Sequence, residues 1–266
     1  MRIGFIGGGV MGEAIIKGIL AKKVVKPTAI TVSDISKQRL ATLKERYGVT
    51  TTNKNEQAAQ SSDVIILAIK PSEMDTVLPQ LRPLSSKQLV ISIAAGVTLA
   101  TLKKGLRHNR LIRSIPNMPG QIGEGISVWT ATPEVTQKQK DTATAILASL
   151  GEEIYVASEK YIDMATAVSG SGPGYIFLIA EALTDAGVHI GLPRTVAEKL
   201  VIETLIGSGR SIKMLGEHPA SLRNKVTSPG GTTTEGLLEL ETGGLRSLLL
   251  HAVIAAYEKS LSLGSK

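Results

Sequence analysis

The chain has 266 residues, 30 basic against 23 acidic for a formal net charge of +7, with four histidines and no cysteine. That length can bury a full core and fits two domains, and the lack of cysteine excludes disulfides, thiolate metal sites and a thiol nucleophile. Two Phe, five Tyr and one Trp, none interleaved with the dispersed Lys and Arg, speak against a nucleic-acid partner. Lys22-Lys23, Lys103-Lys104 and the run from Arg107 to Arg113 therefore read as solvated surface charge, with some attraction for anionic ligands. His108, His189, His218 and His251 lack metal-ligand spacing and read as surface or structural residues, so no metal is expected. No apolar run reaches the ~18 residues of a spanning helix. The N-terminus enters a strand without the basic and apolar regions of a signal peptide. A cytoplasmic enzyme with no membrane partner is expected.

Arg2-Ile3-Gly4-Phe5-Ile6 reads as a short buried strand, and the pattern from Glu13 to Leu20 as a helix. Between them Gly7, Gly8, Gly9, Val10, Met11 and Gly12 carry the dinucleotide fingerprint in its required setting, a strand before and a helix after. Gly7 makes the tight turn, Gly9 admits a pyrophosphate to the backbone, and Gly12 lets helix pack closely on strand. The helix N-terminus adds unpaired N–H groups and partial positive charge.

The second strand, Ala29 to Val32, ends in Ser33-Asp34. Asp34 lies 22 residues past Gly12, where an acid can bind the adenosine ribose hydroxyls and favour NAD. Ser36, Lys37 and Arg39 follow, a hydroxyl and two cations able to hold the extra phosphate of NADP. Asp34 can equally cap the helix that starts near Ser36. Both coenzymes, NADPH and NADH, stay open on these residues.

Further strands are expected at Asp63 to Ile69, Gln88 to Ile93, Leu111 to Ile115, Gly125 to Thr130 and Glu152 to Val156. Their Val/Ile/Leu runs fit a parallel sheet covered on both faces. Ligands of such sheets bind beyond the strands' carboxyl ends. Ala68, Ile69, Lys70 and Pro71, the stretch from Ala94 through Ala95 to Gly96, and Pro116 to Met118 are thus expected to rim the cleft.

Past Lys160 the strands stop. Helical patterns run over 164–169, 173–188, 193–215, 218–226, 232–241 and 245–262. Val201 to Ile206 and Leu248 to Leu250 are more apolar than a monomeric bundle needs, which predicts a face buried against a second subunit. Ser228-Pro229-Gly230-Gly231-Thr232-Thr233 breaks the helical pattern with small residues and hydroxyls. A helix start of this composition leaves N–H groups free for a carboxylate.

These blocks together resemble the pyrroline-5-carboxylate reductases over essentially the whole chain. The resemblance rests on Gly4 to Gly9, Ala68 to Pro71, Ala94 to Thr98, Ser169 to Tyr175, Gly191-Leu192-Pro193, Ser228 to Thr233 and Glu241 to Arg246. It implies an α/β fold: a Rossmann-type doubly wound sheet over 1–161, then an all-α dimerisation and substrate-binding domain over 162–266. It implies reduction of 1-pyrroline-5-carboxylate to L-proline by NAD(P)H, in dimers gathered into a ring, commonly a decamer of five dimers. Gly7 to Gly12, Asn55, Ala68, Lys70 and Ala95-Gly96 match cofactor contacts. The substrate carboxylate would lie at a dimer interface on backbone groups of the Ser228 to Thr233 turn, with Ser228, Gly230, Gly231 and Thr232 beside it. Thr233 matches the residue bonded to the ring nitrogen.

Three positions depart from the family's usual residues. Asp34 stands where a small hydroxyl residue is common, Gly174 where alanine follows Ser-Gly-Pro, and Thr232 where alanine is common. The last leaves two adjacent hydroxyls as candidates for the imine contact. The β-hydroxyacid dehydrogenases, which share the glycine fingerprint and a helical second domain, need a lysine and an asparagine where this chain has Ile176 and Ala180. A reductase of other cyclic imines stays open, because the carboxylate grip rests on backbone rather than on an arginine. A non-enzymatic coenzyme sensor is the other alternative, and the Thr-rich turn speaks against it.

Overall fold

A computed structural model describes residues 1–264. They form two compact units, one of Met1–Ser171 with the end of the chain from Ala256, the other of Gly172–Ala255. Compactness thus draws its line later than the divide expected at 161/162.

The first unit holds one eight-stranded sheet: β1 (Ile3–Ile6), β2 (Ile30–Ser33), β3 (Thr50–Thr52), β4 (Val64–Leu67), β5 (Leu89–Ser92), β6 (Leu111–Pro116), β7 (Gly125–Ala131) and β8 (Gly151–Tyr155). Their spatial order is β3-β2-β1-β4-β5-β6-β7-β8. The chain leaves β1 in one direction and later returns on its other side at β4, so the β1/β4 junction is the topological switch point. Between strands run α1 (Val10–Ala21), α2 (Lys37–Tyr47), α3 (Asn55–Gln60), α4 (Met74–Val77), α5 (Leu99–Leu106) and α6 (Gln137–Leu147); α7 (Lys160–Ala165) follows β8.

Both sheet faces are buried. Alternation along β4 sends Val64 and Ile66 into a core with Ile15, Ile16 and Ile19 of α1. Ile65 and Leu67 enter the opposite core with Ala58 and Ala59 of α3 and Leu102 and Leu106 of α5. Strand β3, three threonines at the sheet edge, was not anticipated, because it has no apolar run to mark it.

The expected parallel sheet holds for every strand pair but one: β6 and β7 are antiparallel. The connection between them is short, a 3₁₀ turn over Met118–Ile122. A parallel return needs a crossover of about a dozen residues or more.

Arg113 also departs from the surface-charge reading. It is 1% exposed, its Nη2 donating to Asp163 Oδ1 at 2.7 Å and its Nη1 to Glu159 Oε1 at 3.0 Å. Ser260 Oγ donates to the same Asp163 oxygen at 2.9 Å, and Leu99 N–H to Glu159 Oε1 at 2.7 Å. His108 is structural, buried with Nε2 2.8 Å from Gln88 O.

Thr166–Gly170 forms a π-helical turn, with Ser171 N–H donating to Thr166 O at 2.8 Å. The second unit comprises α8 (Gly172–His189), α9 (Arg194–Leu215), α10 (Pro219–Lys225), α11 (Thr232–Thr242) and most of α12 (Leu245–Gly264). Within it only Thr184 and Ala197 are buried. Phe177, Leu178, Leu200, Ile202, Leu248 and Leu250 are all more than half exposed. A helical unit with almost no interior of its own needs another surface to cover it.

Candidate active site

The glycine loop begins where β1 ends. Gly7 has φ +99°, and a Cβ there would meet Ala68 O at 2.5 Å. A Cβ on Gly12 would meet Gly7 O at 2.6 Å, so α1 lies directly on the end of its strand. Around Gly9 nothing lies within 4 Å of such a Cβ, leaving the backbone open. Gly9 also precedes the first residue of α1 with no side-chain cap, which leaves the helix N-terminus available to an anion.

A cavity of about 560 Å³ opens beyond the carboxyl ends of β1, β2 and β4, within the usual ~300–1,000 Å³ of ligand sites. The structure brings Gly7, Gly9, Ser33, Asp34, Asn55, Ala68, Ile69 and Lys70 together in its lining. Gly8, Val10, Met11, Gly12 and Pro71 lie beside it in the chain without lining it, and Ala95-Gly96 and Pro116 to Met118 are not among its lining residues. A Cβ on Gly96 would instead meet Leu263 Cβ at 2.6 Å. Open backbone at Gly9, a free helix start and an acid at the end of β2 are the features a dinucleotide requires.

Sequence reasoning missed the far wall, where Glu73, Thr76 and Gln80 line the cavity. Asn55 gives the clue: its Oδ1 accepts from Ser33 Oγ at 2.8 Å and its Nδ2 donates to Gln80 Oε1 at 2.9 Å. No periodicity marks the short turns over 71–81, so only this tertiary link reveals them.

Behind the loop, Arg39 donates from Nε to Gly8 O and from Nη2 to Gly9 O and Glu13. Glu13 also accepts from Tyr47 Oη at 2.8 Å and Arg46 Nη1 at 3.2 Å. Burial alone would raise the Glu13 carboxyl; hydrogen bonds from Arg39 and Tyr47, with the Arg39 charge, outweigh it and hold the group below the usual glutamate range. Burial, then the bond to Glu13, raises the Tyr47 phenol. A carboxyl depressed in the folded state contributes stability above its unfolded pKa and loses it as pH falls through the folded value. Glu13→Gln should therefore lower stability at pH 7, by up to about 1 kcal/mol for a half-buried cluster that solvent still screens. The gap from the wild type should close in acid, below the ordinary glutamate pKa, as thermal scans across pH would read.

In the second unit, Ser228 to Gly231 forms a β-turn with Pro229 and then Gly230 (φ +66°) at its centre, closed by Gly231 N–H to Ser228 O at 3.0 Å. The turn delivers Thr232 to Thr234 into the first turn of α11. Thr234 Oγ1 donates to Ser228 O at 2.6 Å and fastens the loop, a role the sequence did not signal. Thr232 and Thr233 make no side-chain hydrogen bond among the described residues, so both hydroxyls are available.

A doubly wound sheet with a glycine loop and an open cavity at its switch point defines the class of nicotinamide-dinucleotide oxidoreductases. Residues 2–96 match the family described as NADP oxidoreductase, coenzyme F420-dependent, and residues 159–263 match pyrroline-5-carboxylate reductase dimerisation. A pyrroline-5-carboxylate reductase of Synechocystis sp. is 43% identical over 266 residues, 100% of this chain and 99% of that protein. Among solved structures, the enzyme from Coxiella burnetii aligns with TM-score 0.90 at 38% identity, covering 98% of each chain. The Plasmodium falciparum pyrroline carboxylate reductase with NADP bound aligns with TM-score 0.91 at 33% identity, covering 99% of this chain and 98% of that one. The chain belongs to the pyrroline-5-carboxylate reductase family.

Proposed function

We propose that this protein reduces 1-pyrroline-5-carboxylate to L-proline with NAD(P)H, the last step of proline synthesis. The observation that carries the reading is the Ser228 to Gly231 turn with two unengaged threonine hydroxyls, in a chain that also carries the dinucleotide cleft. The bound coenzyme supplies a hydride to the imine carbon. The C=N π pair then moves to a nitrogen that, in the protonated imine, already holds its proton. The chain's own task is to bind and orient, and no strong base, metal or covalent nucleophile is required. Ser228, Gly230, Gly231 and Thr232 hold the carboxylate, with free N–H groups at the α11 start as donors. Thr233 Oγ1 accepts from the ring N–H and so orients it. After hydride transfer it relays to the product amine the proton that makes it the ammonium of proline.

Gly7 to Gly12, Ser33, Asp34, Asn55, Ala68 to Pro71 and Ala95-Gly96 serve the coenzyme in this reading. A divide at 161/162 between the coenzyme and dimerisation domains draws support from the dimerisation match, which starts at residue 159. Self-association covers the exposed apolar helices, substrate lies at the resulting interface, and five dimers close a decamer in the cytoplasm. Light scattering on the eluting protein checks the assembly, and a monomer at micromolar concentration would refute it.

Oxidation of NADH or NADPH that depends on added pyrroline-5-carboxylate tests the reaction; coenzyme binding without oxidation would overturn it. Thr233→Ala should lower kcat/KM by about 10- to 100-fold, the loss of one hydrogen bond to a charged group. Unchanged kinetic constants in that variant would assign the imine contact to Thr232.

A further inference from the structure

The end of β2 carries two opposed signals, an acid for the ribose diol of NADH and a hydroxyl with two cations for the 2′-phosphate of NADPH. The structure separates them. Asp34 lines the cavity, whereas Ser36, Lys37 and Arg39 do not. Asp34 Oδ2 accepts from Gly8 N–H at 2.8 Å, and Oδ1 from Ser36 N–H at 2.8 Å. A carboxylate has about four acceptor positions, so these bonds fix its orientation and leave each oxygen able to accept from a ribose hydroxyl.

Two of the three rival groups are committed elsewhere, and the third, Lys37, is not among the residues lining the cavity. Ser36 Oγ is the N-cap of α2, accepting from Arg39 N–H at 3.2 Å. Arg39 is held by the Gly8 and Gly9 carbonyls and by Glu13, which further engages Arg46 and Tyr47. Lys70, the cation that does line the cavity, follows β4, and β1 separates that strand from β2.

Building on the reductase reading, we infer that Asp34, braced by the Gly8 and Ser36 amides, makes this protein select NADH over NADPH. Bound NADH would donate its ribose hydroxyls to the carboxylate. A 2′-phosphate in that place would bring a second anion against Asp34, with no uncommitted cation of the β2–α2 segment lining the cavity to compensate it. Arg39 acts here as a positioning residue that braces the glycine loop from behind.

Binding without substrate separates this inference from the catalytic one. Titration of the full-length protein, followed by nicotinamide fluorescence, should give a Kd for NADPH about tenfold or more above that for NADH. Asp34→Asn keeps an acceptor for Gly8 N–H while removing the charge, so it should bring the two constants within about threefold, chiefly by tightening NADPH. Equal or tighter NADPH binding by the wild type would overturn the preference and leave the reductase reading standing. An unchanged ratio in Asp34→Asn would remove Asp34 from the selection. Binding of neither coenzyme would overturn both readings.

Discussion

Arg113→Ala is expected to cost about 3–5 kcal/mol of stability, the range for removing one partner of a buried ion pair. Arg113 reaches from β6 to Asp163 of α7 and to Glu159, while Ser260 of α12 and the Leu99 amide at the start of α5 use the same carboxylates. Deleting the guanidinium strands Asp163 beside one hydroxyl in a buried site, and neighbouring carboxylates then repel. The net contribution of the intact pair is smaller, because desolvation offsets much of its attraction. Replacing Arg113 and Asp163 together by apolar residues should thus recover most of the loss. Denaturant unfolding at one fixed protein concentration reads both outcomes, since self-association adds to apparent stability. A single variant within 1 kcal/mol of the wild type would contradict the buried-pair account.

Gly7→Ala is expected to combine a stability loss of about 1–3 kcal/mol with a fall of about 100-fold in kcat/KM. The backbone at φ +99° disfavours any Cβ, and this one would lie 2.5 Å from Ala68 O and 2.9 Å from Ile69 Cγ2. Relief requires the β1 turn to move away from the end of β4, where Ala68, Ile69 and Lys70 line the cavity. The same shift displaces Gly8, whose amide orients Asp34. Thermal scans and coenzyme titration separate the two effects, and a variant that loses stability but binds coenzyme normally would show the loop free to relax.

Most of the architecture was legible in the residues. Seven strands show as Val/Ile/Leu runs, and the helices past Gly172 show as 3.6-residue periodicity, because neighbouring residues set both patterns. Turn chemistry is just as local: glycine spacing marked the loop after β1, and Ser-Pro-Gly-Gly marked the turn before α11. Excess apolar residues at Ile202 and Leu248 to Leu250 pointed to a second surface, and those side chains are exposed in the folded chain.

Only the tertiary structure decided which groups those elements bring together. Strand β3 carries no apolar signal, and the direction of β7 depends on the length of a connection rather than on its strand pattern. Arg113 looked like one cation in a basic run, and becomes a buried ion-pair partner because α7 and the end of α12 return to β6. Asp34 and Arg39 read as competing signals until the fold placed one in the cavity and tied the other to Glu13. Periodicity and turn preference act between near neighbours, whereas burial and charge pairing join residues as distant along the chain as Asp163 and Ser260. The sequence by itself therefore determined the elements and the chemistry available, and the packed chain determined which charges meet and which one faces the coenzyme.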